Sequence, residues 1–224
     1  MQTDNGQFGE PSIEQVVNLF DNTLDQTFDK MLGNIHQHGF AVLDNALPEL
    51  LTRQLLNDCI TRQAEFTAAG IGRQQDRQLQ PAVRNDKTLW LDGHAQAQQG
   101  FLQLMNTIRL SVNRHFYMGL FDYECHYASY QKGDFYKKHL DAFKGRSNRV
   151  FSTVCYLNTP AQGGELLLYA QGTVQDSVQV LQKISAKAGT LVVFESERFP
   201  HEVLTAVDLR YSIAGWFRTN KLMD

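Results

Sequence analysis

Apolar residues in the first half of the chain recur at helical spacing. Ile13, Val16, Val17, Phe20, Leu24, Phe28 and Leu32 predict a first helix that starts at a capping pair, Ser12 and Gln15 behind Pro11, and stops at Gly33. The short apolar run at residues 40–43 then predicts a buried strand before the turn-prone pair Asp44 and Asn45. A second helix begins at Pro48, a residue suited to a first helical position, and carries Leu51, Leu55, Leu56, Cys59 and Ile60 on one side. Between Gln96 and Gly119 the positions Phe101, Leu104, Met105, Ile108, Val112 and Phe116 predict a third, amphipathic helix. Residues 70–84 interrupt this helical half with two glycines, a proline and four glutamines, and read as a long loop of the kind that often carries function.

After residue 121 the period changes. Short apolar or alternating runs at residues 125–130, 135–139, 151–157, 165–168, 178–184, 190–194 and 210–217 are separated by turn residues, as strands of a sandwich or barrel are. The expected architecture is an all-β core supported by N-terminal α-helices. A polar tail at residues 1–10 precedes one domain over 11–224, helical with its loop to about residue 120 and β from 121 to 218.

Composition narrows the setting. With 42% hydrophobic and 20% charged residues, the 224-residue chain can bury a core of its own. The net charge of −3, from 21 Lys and Arg against 24 Asp and Glu, lacks the basic footprint of a nucleic-acid binder. Three scattered cysteines, Cys59, Cys125 and Cys155, suit a reducing compartment and neither a disulfide framework nor a zinc knuckle. An acidic, polar N-terminus and the absence of any 18-residue apolar stretch argue against a signal peptide and a membrane span, so a cytoplasmic protein with no membrane partner is expected.

The candidate chemistry lies in the β half. His139 stands two residues before Asp141, a spacing that on a strand puts an imidazole and a carboxylate on one face. With His201 from a distant strand they make two histidines and one carboxylate, a set that leaves an open face on an octahedral metal such as Fe(II). Zinc prefers a closed tetrahedron. Taken alone, a His-x-Asp pair in a chain with seven histidines is weak evidence, and a surface contact explains it as well. Nine residues beyond His201 stands Arg210, with Ser212 on the same strand face, placed to hold a carboxylate. His36, His38, His94, His115 and His126 have no second ligand at useful spacing and read as structural or exposed residues. Cys155 faces away from Tyr156 and reads as packing.

Tyr130-x-x-Gly133-x-x-Tyr136-x-x-His139-x-Asp141, Tyr156-Leu-Asn158, Gly163-Gly164-Glu-Leu166, Pro200-His201-Glu-Val203 and Arg210-Tyr-Ser212 follow in fixed order. Together they resemble the Fe(II)- and 2-oxoglutarate-dependent dioxygenases, and within them the prolyl 4-hydroxylases. The segments at residues 37–44 and 83–90 are similar to those of the oxygen-sensing prolyl hydroxylases and their bacterial relatives. This resemblance implies a double-stranded β-helix, or jelly roll, with iron held by His139, Asp141 and His201. It implies 2-oxoglutarate bound through Arg210 and Ser212, with Tyr156 assisting and Tyr130 alongside. O2 is the second cosubstrate and ascorbate a candidate reductant. The implied reaction decarboxylates 2-oxoglutarate to succinate and CO2 and hydroxylates a prolyl residue of an intracellular protein. Arg84, Asp86, Tyr136, Arg149 and Trp216 are expected on the substrate side, with Asp86 paired to Arg149 and the 70–84 loop closing over the peptide. Ala214 stands where the oxygen sensors have a small hydroxyl-bearing residue, so their oxygen response does not carry over. Two alternatives remain at this point: an oxygenase acting on another side chain or a small molecule, and a non-catalytic jelly-roll binding module that keeps its metal.

Overall fold

The computed structural model describes residues 21–70, 79–143, 147–170 and 179–220, with the side chains of 21–25 excepted. The tail, the Ser12 and Gln15 capping pair and most of the 70–84 loop lie outside the described residues. Helix α1 spans Asp21–His38 and β1 Phe40–Leu43; α2 spans Glu49–Thr61 and α3 Gln96–Phe116. The two short strands β2 (Thr67–Ala68) and β3 (Lys87–Trp90) precede α3. The β half then runs through β4 (Leu120–Tyr130), β5 (Tyr136–His139), β6 (Arg149–Tyr156) and β7 (Leu166–Tyr169). It ends with β8 (Val180–Ile184), β9 (Leu191–Glu195), β10 (His201–Val203) and β11 (Arg210–Thr219).

Helix α1 does not stop at Gly33. A glycine inside a helix costs only about 1 kcal/mol, and burial of Phe28, Met31, Leu32 and Ile35 on one stripe carries the helix past it. The stop is Gly39, whose φ of 80° no side-chain-bearing residue adopts easily, and whose amide returns to the carbonyl of Ile35 at 2.8 Å. In α3 the stripe Phe101, Leu104, Met105, Ile108 and Val112 is buried as expected. Asn113 ties the end of α3 to β4, donating to the Leu120 carbonyl at 2.8 Å and accepting from its amide at 2.7 Å.

The strands form two antiparallel sheets, a seven-stranded one in the order β1-β9-β6-β11-β4-β3-β2 and a four-stranded one in the order β5-β10-β7-β8. This is the jelly roll the strand pattern and the resemblance imply. The large sheet is covered on both faces, which is why β11 is buried along most of its length. One face, with Cys125, Tyr127, Phe151, Cys155, Ile213 and Phe217, packs on the helices. The other, with Ala128, Tyr130, Tyr156, Val192 and Phe194, meets Leu166, Leu168, Ile184 and Val203 of the small sheet. Cys155 and Tyr156 therefore point into different cores, as the alternation requires.

Candidate active site

The pairing of β10 with β5 sets His201 opposite His139. Each ring is oriented by a backbone carbonyl, that of Lys137 at 2.8 Å from His139 Nδ1 and that of Phe199 at 3.1 Å from His201 Nδ1. A carbonyl only accepts, so each Nδ1 carries its proton and each Nε2 presents a lone pair. Both lone pairs turn to Asp141: His139 Nε2 is 3.6 Å from Oδ1 and His201 Nε2 3.4 Å from Oδ2. Candidate ligand atoms of the three residues all lie within 4.8 Å of one another. Burial, with His139 alongside, lowers His201 to about 4, so its imidazole is neutral at pH 7. Burial works against charge on Asp141 too, but the two histidines outweigh it and hold the carboxyl well below its ordinary range.

The strand pleat is not what aligns this trio. β5 ends at His139 and Asp141 sits in the bend beyond it. Its position is set instead by Ser152 of β6, whose hydroxyl donates to Asp141 Oδ2 at 2.6 Å and lies 2.9 Å from the Ser196 hydroxyl. Nothing in the spacing of Ser152 and Ser196 announces this chain, because its members come from β6 and from the turn after β9. Ser152→Ala is expected to weaken Fe(II) or Mn(II) binding by roughly 10–100-fold, the usual cost of losing a ligand's supporting partner. Calorimetric metal titration measures it, and unchanged affinity would show that Ser152 only fills space.

The trio opens on a cavity of about 950 Å³ that Arg210, Ser212 and Tyr130 also line. Arg210 is 1% exposed, which for a cation is costly without an anion. Among the described residues its hydrogen bond is to Ser212 Oγ at 3.2 Å, and no carboxylate reaches it. Its guanidinium carbon lies 4.6 Å from the centre of the Tyr130 ring and 5.0 Å from that of Tyr156. Among the described residues, Arg210 Nε and the Tyr156 hydroxyl are both buried with no hydrogen-bond partner. A small carboxylate would satisfy the charge and the orphaned donors together. Gly164 makes room for this arginine, and Gly163 before it lets the turn pack against the backbone at residues 205–207. A Cβ on Gly164 would sit 2.8 Å from Arg210 Cδ, and one on Gly163 2.5 Å from the Val207 amide nitrogen, with φ values of 70° and 76° that disfavour side chains anyway.

Comparison with known proteins agrees with this chemistry. A family model described as the 2OG-Fe(II) oxygenase superfamily matches residues 125–218. A Pseudomonas putida prolyl-4-hydroxylase is 35% identical, with 87% of this chain and 100% of that one covered and a TM-score of 0.75. The chain belongs to the 2-oxoglutarate/Fe(II) oxygenases. Its fold is that of the prolyl 4-hydroxylase type. A Trichoplax adhaerens prolyl hydroxylase, solved with a peptide fragment of the hypoxia inducible factor oxygen degradation domain, shares it at 23% identity and a TM-score of 0.75, over 88% of this chain and 92% of that one. So does a viral collagen prolyl hydroxylase from Paramecium Bursaria Chlorella virus-1, solved with 2-oxoglutarate, at 18% identity and a TM-score of 0.57, over 82% and 98%. No curated protein sequence matches the chain.

The rest of the oxygenase cavity holds the residues expected on the substrate side, in arrangements that differ in part from expectation. Asp86 does not pair with Arg149. It is fully buried and takes a bidentate pair from Arg84, Nε to Oδ1 at 2.8 Å and Nη2 to Oδ2 at 2.6 Å. Two residues apart on one side of the chain, they satisfy each other locally before any distant cation is needed. Arg84 also lies 4.1 Å over the Tyr136 ring, which stacks on His139 at 3.5 Å between centroids. Arg84 and Tyr136 thus buttress a candidate metal ligand. Arg149 belongs to the cavity's outer end, where it pairs with Glu124 at 2.8 Å and stacks 3.6 Å over the Trp216 ring. Arg218 bridges the same Glu124 to Asp122.

His126 is the residue the sequence reading passed over. It is 5% exposed and lines the cavity between Trp90 and Trp216, with ring centroids 5.2 and 5.5 Å away. Burial, and then the nearby charge of Arg84, lowers its pKa to about 4. The unfolded chain, with an ordinary histidine pKa near 6.5, binds the proton more readily, so this group's contribution to stability is full above about pH 6.5 and is lost as pH falls towards 4. His126→Phe is expected to flatten the fall of the melting temperature across that window, by up to roughly 3 kcal/mol of pH-dependent stability; an unchanged slope in thermal melts would rule this out.

Proposed function

We propose that this oxygenase hydroxylates a prolyl residue in a peptide or protein segment, coupled to conversion of 2-oxoglutarate to succinate and CO2. The observation that carries the reading is Arg210, a buried cation with no counter-ion among the described residues, opening on the same cavity as the His139, Asp141 and His201 trio. It calls for an anionic cosubstrate beside a metal.

The donor set fits iron: two imidazole nitrogens and one carboxylate, with no fourth histidine, cysteine or acidic residue in the group among the described residues. Fe(II), when bound, supplies the activation of O2 that drives the oxidation. The chain's own residues do the positioning. His139, Asp141 and His201 would hold the metal, with Ser152 fixing the Asp141 carboxylate through its hydrogen bond to Oδ2. Arg210 and Ser212 take the distal carboxylate of 2-oxoglutarate, the Tyr156 hydroxyl donates to it, and the Tyr130 ring flanks its carbon chain. Trp216, stacked under Arg149, walls the path by which substrate enters. A cavity of about 950 Å³ stands at the upper end of small-ligand pockets and leaves room for a peptide segment beside a five-carbon acid. The 35% identity to a bacterial prolyl-4-hydroxylase supports proline as the target. An intracellular protein is the expected partner. No helix among the described residues is long and apolar enough to cross a membrane.

The test is succinate release by the purified protein with Fe(II), 2-oxoglutarate, O2 and ascorbate against a panel of proline-containing peptides, with mass spectrometry of each peptide. Peptide-stimulated succinate and a gain of one oxygen on proline is the expected result. Stimulation by other peptides or small molecules alone would replace proline as the target, and binding of Fe(II) and 2-oxoglutarate without turnover would leave a binding module.

A further inference from the structure

The cavity floor on β4 and β11 changes character along its length. Tyr130, Arg210 and Ser212 form its polar inner end, and Glu124, Arg149 and Arg218 its charged outer end. Between them the wall is Ala128, Ala214, Trp90 and Trp216, with the Thr88 hydroxyl opposite Ala128 and the Trp216 indole N–H buried without a partner among the described residues, and in this largely apolar stretch stands one imidazole, His126. It lies between the two indoles, and its Nδ1 is 3.0 Å from the Tyr127 carbonyl of its own strand. That carbonyl can only accept, so Nδ1 carries the proton and Nε2 is left with a lone pair that no hydrogen bond among the described residues uses. A neutral histidine fixed in one tautomer, in a largely apolar wall, is an acceptor open to an N–H or O–H donor.

We propose that His126 Nε2 accepts a hydrogen bond from the substrate's main chain, and specifically from the amide N–H of the residue that follows the target proline. The inference rests on the prolyl reading above. Proline has no N–H of its own, so the first donor the chain offers next to the hydroxylated ring on its C-terminal side is the following amide. Entering the cavity strips that N–H of water, and a buried donor without a partner is costly, so an acceptor is required, and His126 Nε2 is a fixed one in a wall that is mostly hydrocarbon. Recognition of this kind selects an extended main chain with a secondary amide at that place. It rejects a second proline there, which has no proton to give, whatever side chains surround it.

The test uses a proline peptide that the wild-type protein hydroxylates, and its depsipeptide in which the amide after the target proline is an ester, so that the N–H becomes an oxygen. Wild type is expected to show kcat/KM about 10-fold lower for the ester. His126→Phe, which keeps the ring's bulk and loses the acceptor, should treat amide and ester alike, and His126→Gln, which keeps an acceptor, should regain part of the preference. Equal rates on amide and ester in wild type overturn the proposal, and this comparison holds even if the Phe variant fails to fold. A preference of the same size in wild type and a folded Phe variant overturns it too, since the N–H would then be read elsewhere. Absence of any hydroxylated proline peptide is a different result: it removes the prolyl reading first, and this inference with it.

Discussion

Asp141→Ala is expected to abolish succinate formation and to lower Fe(II) and Mn(II) affinity by more than the roughly 10–100-fold expected from loss of a supporting partner. Asp141 is the only acidic member of the trio. It lies within 3.6 Å of both histidine Nε2 atoms, so its loss removes the charge that offsets a divalent cation as well as one of three donors. Calorimetric titration of metal into the three proteins should show affinity falling from wild type to Ser152→Ala to Asp141→Ala. The ranking matters because it separates the ligand from the residue that holds it. An Asp141→Ala protein that still binds metal as wild type does would mean that the trio is not the metal site, and the oxygenase would need another centre.

Arg210→Met produces two effects of opposite sign. Among the described residues the guanidinium is buried with one neutral hydrogen bond and no anion, so an apolar side chain of similar length is expected to raise the melting temperature of the ligand-free protein, as replacing buried charges by packed apolar groups often does by about 1–4 kcal/mol. The same change removes the group that would hold the distal carboxylate. Truncating one partner of a buried charge pair costs about 2–5 kcal/mol, which is roughly 30- to 5,000-fold in the KM for 2-oxoglutarate. Wild type should also gain melting temperature on addition of 2-oxoglutarate with Mn(II), and the variant should gain little. Thermal melts with and without ligand measure both halves. A variant less stable than wild type and still stabilised by 2-oxoglutarate would place the carboxylate elsewhere in the cavity.

Much of this was legible in the chain itself. The change of period near residue 120 separates a helical half from a β half, and the strand at residues 40–43 stands where the pattern puts it. Local signals failed where tertiary contacts outvoted them: Gly33 did not end α1, because apolar burial on both sides of it outweighs the cost of one glycine. β2, β3 and β10 are two to four residues long, too short to show a period, and they exist through their ladders to neighbouring strands.

The site divides along the same line. His139, Asp141, His201, Arg210 and Ser212 stood out as candidates from residue type and motif order, although the His-x-Asp pair alone was weak evidence, and the structure brings them to one cavity. What spacing along the chain cannot supply is the partner across space. Asp86 met Arg84 and not Arg149, Ser152 and Ser196 reached Asp141 from separate elements, and His126 turned from a bland histidine into a buried acceptor between two tryptophans. Residue types and periodicity determined the class of fold and the donor atoms, because both depend on local chemistry. Strand register and layer packing decided which donors are satisfied and which are left waiting for a ligand, because that depends on which distant backbones come to lie side by side.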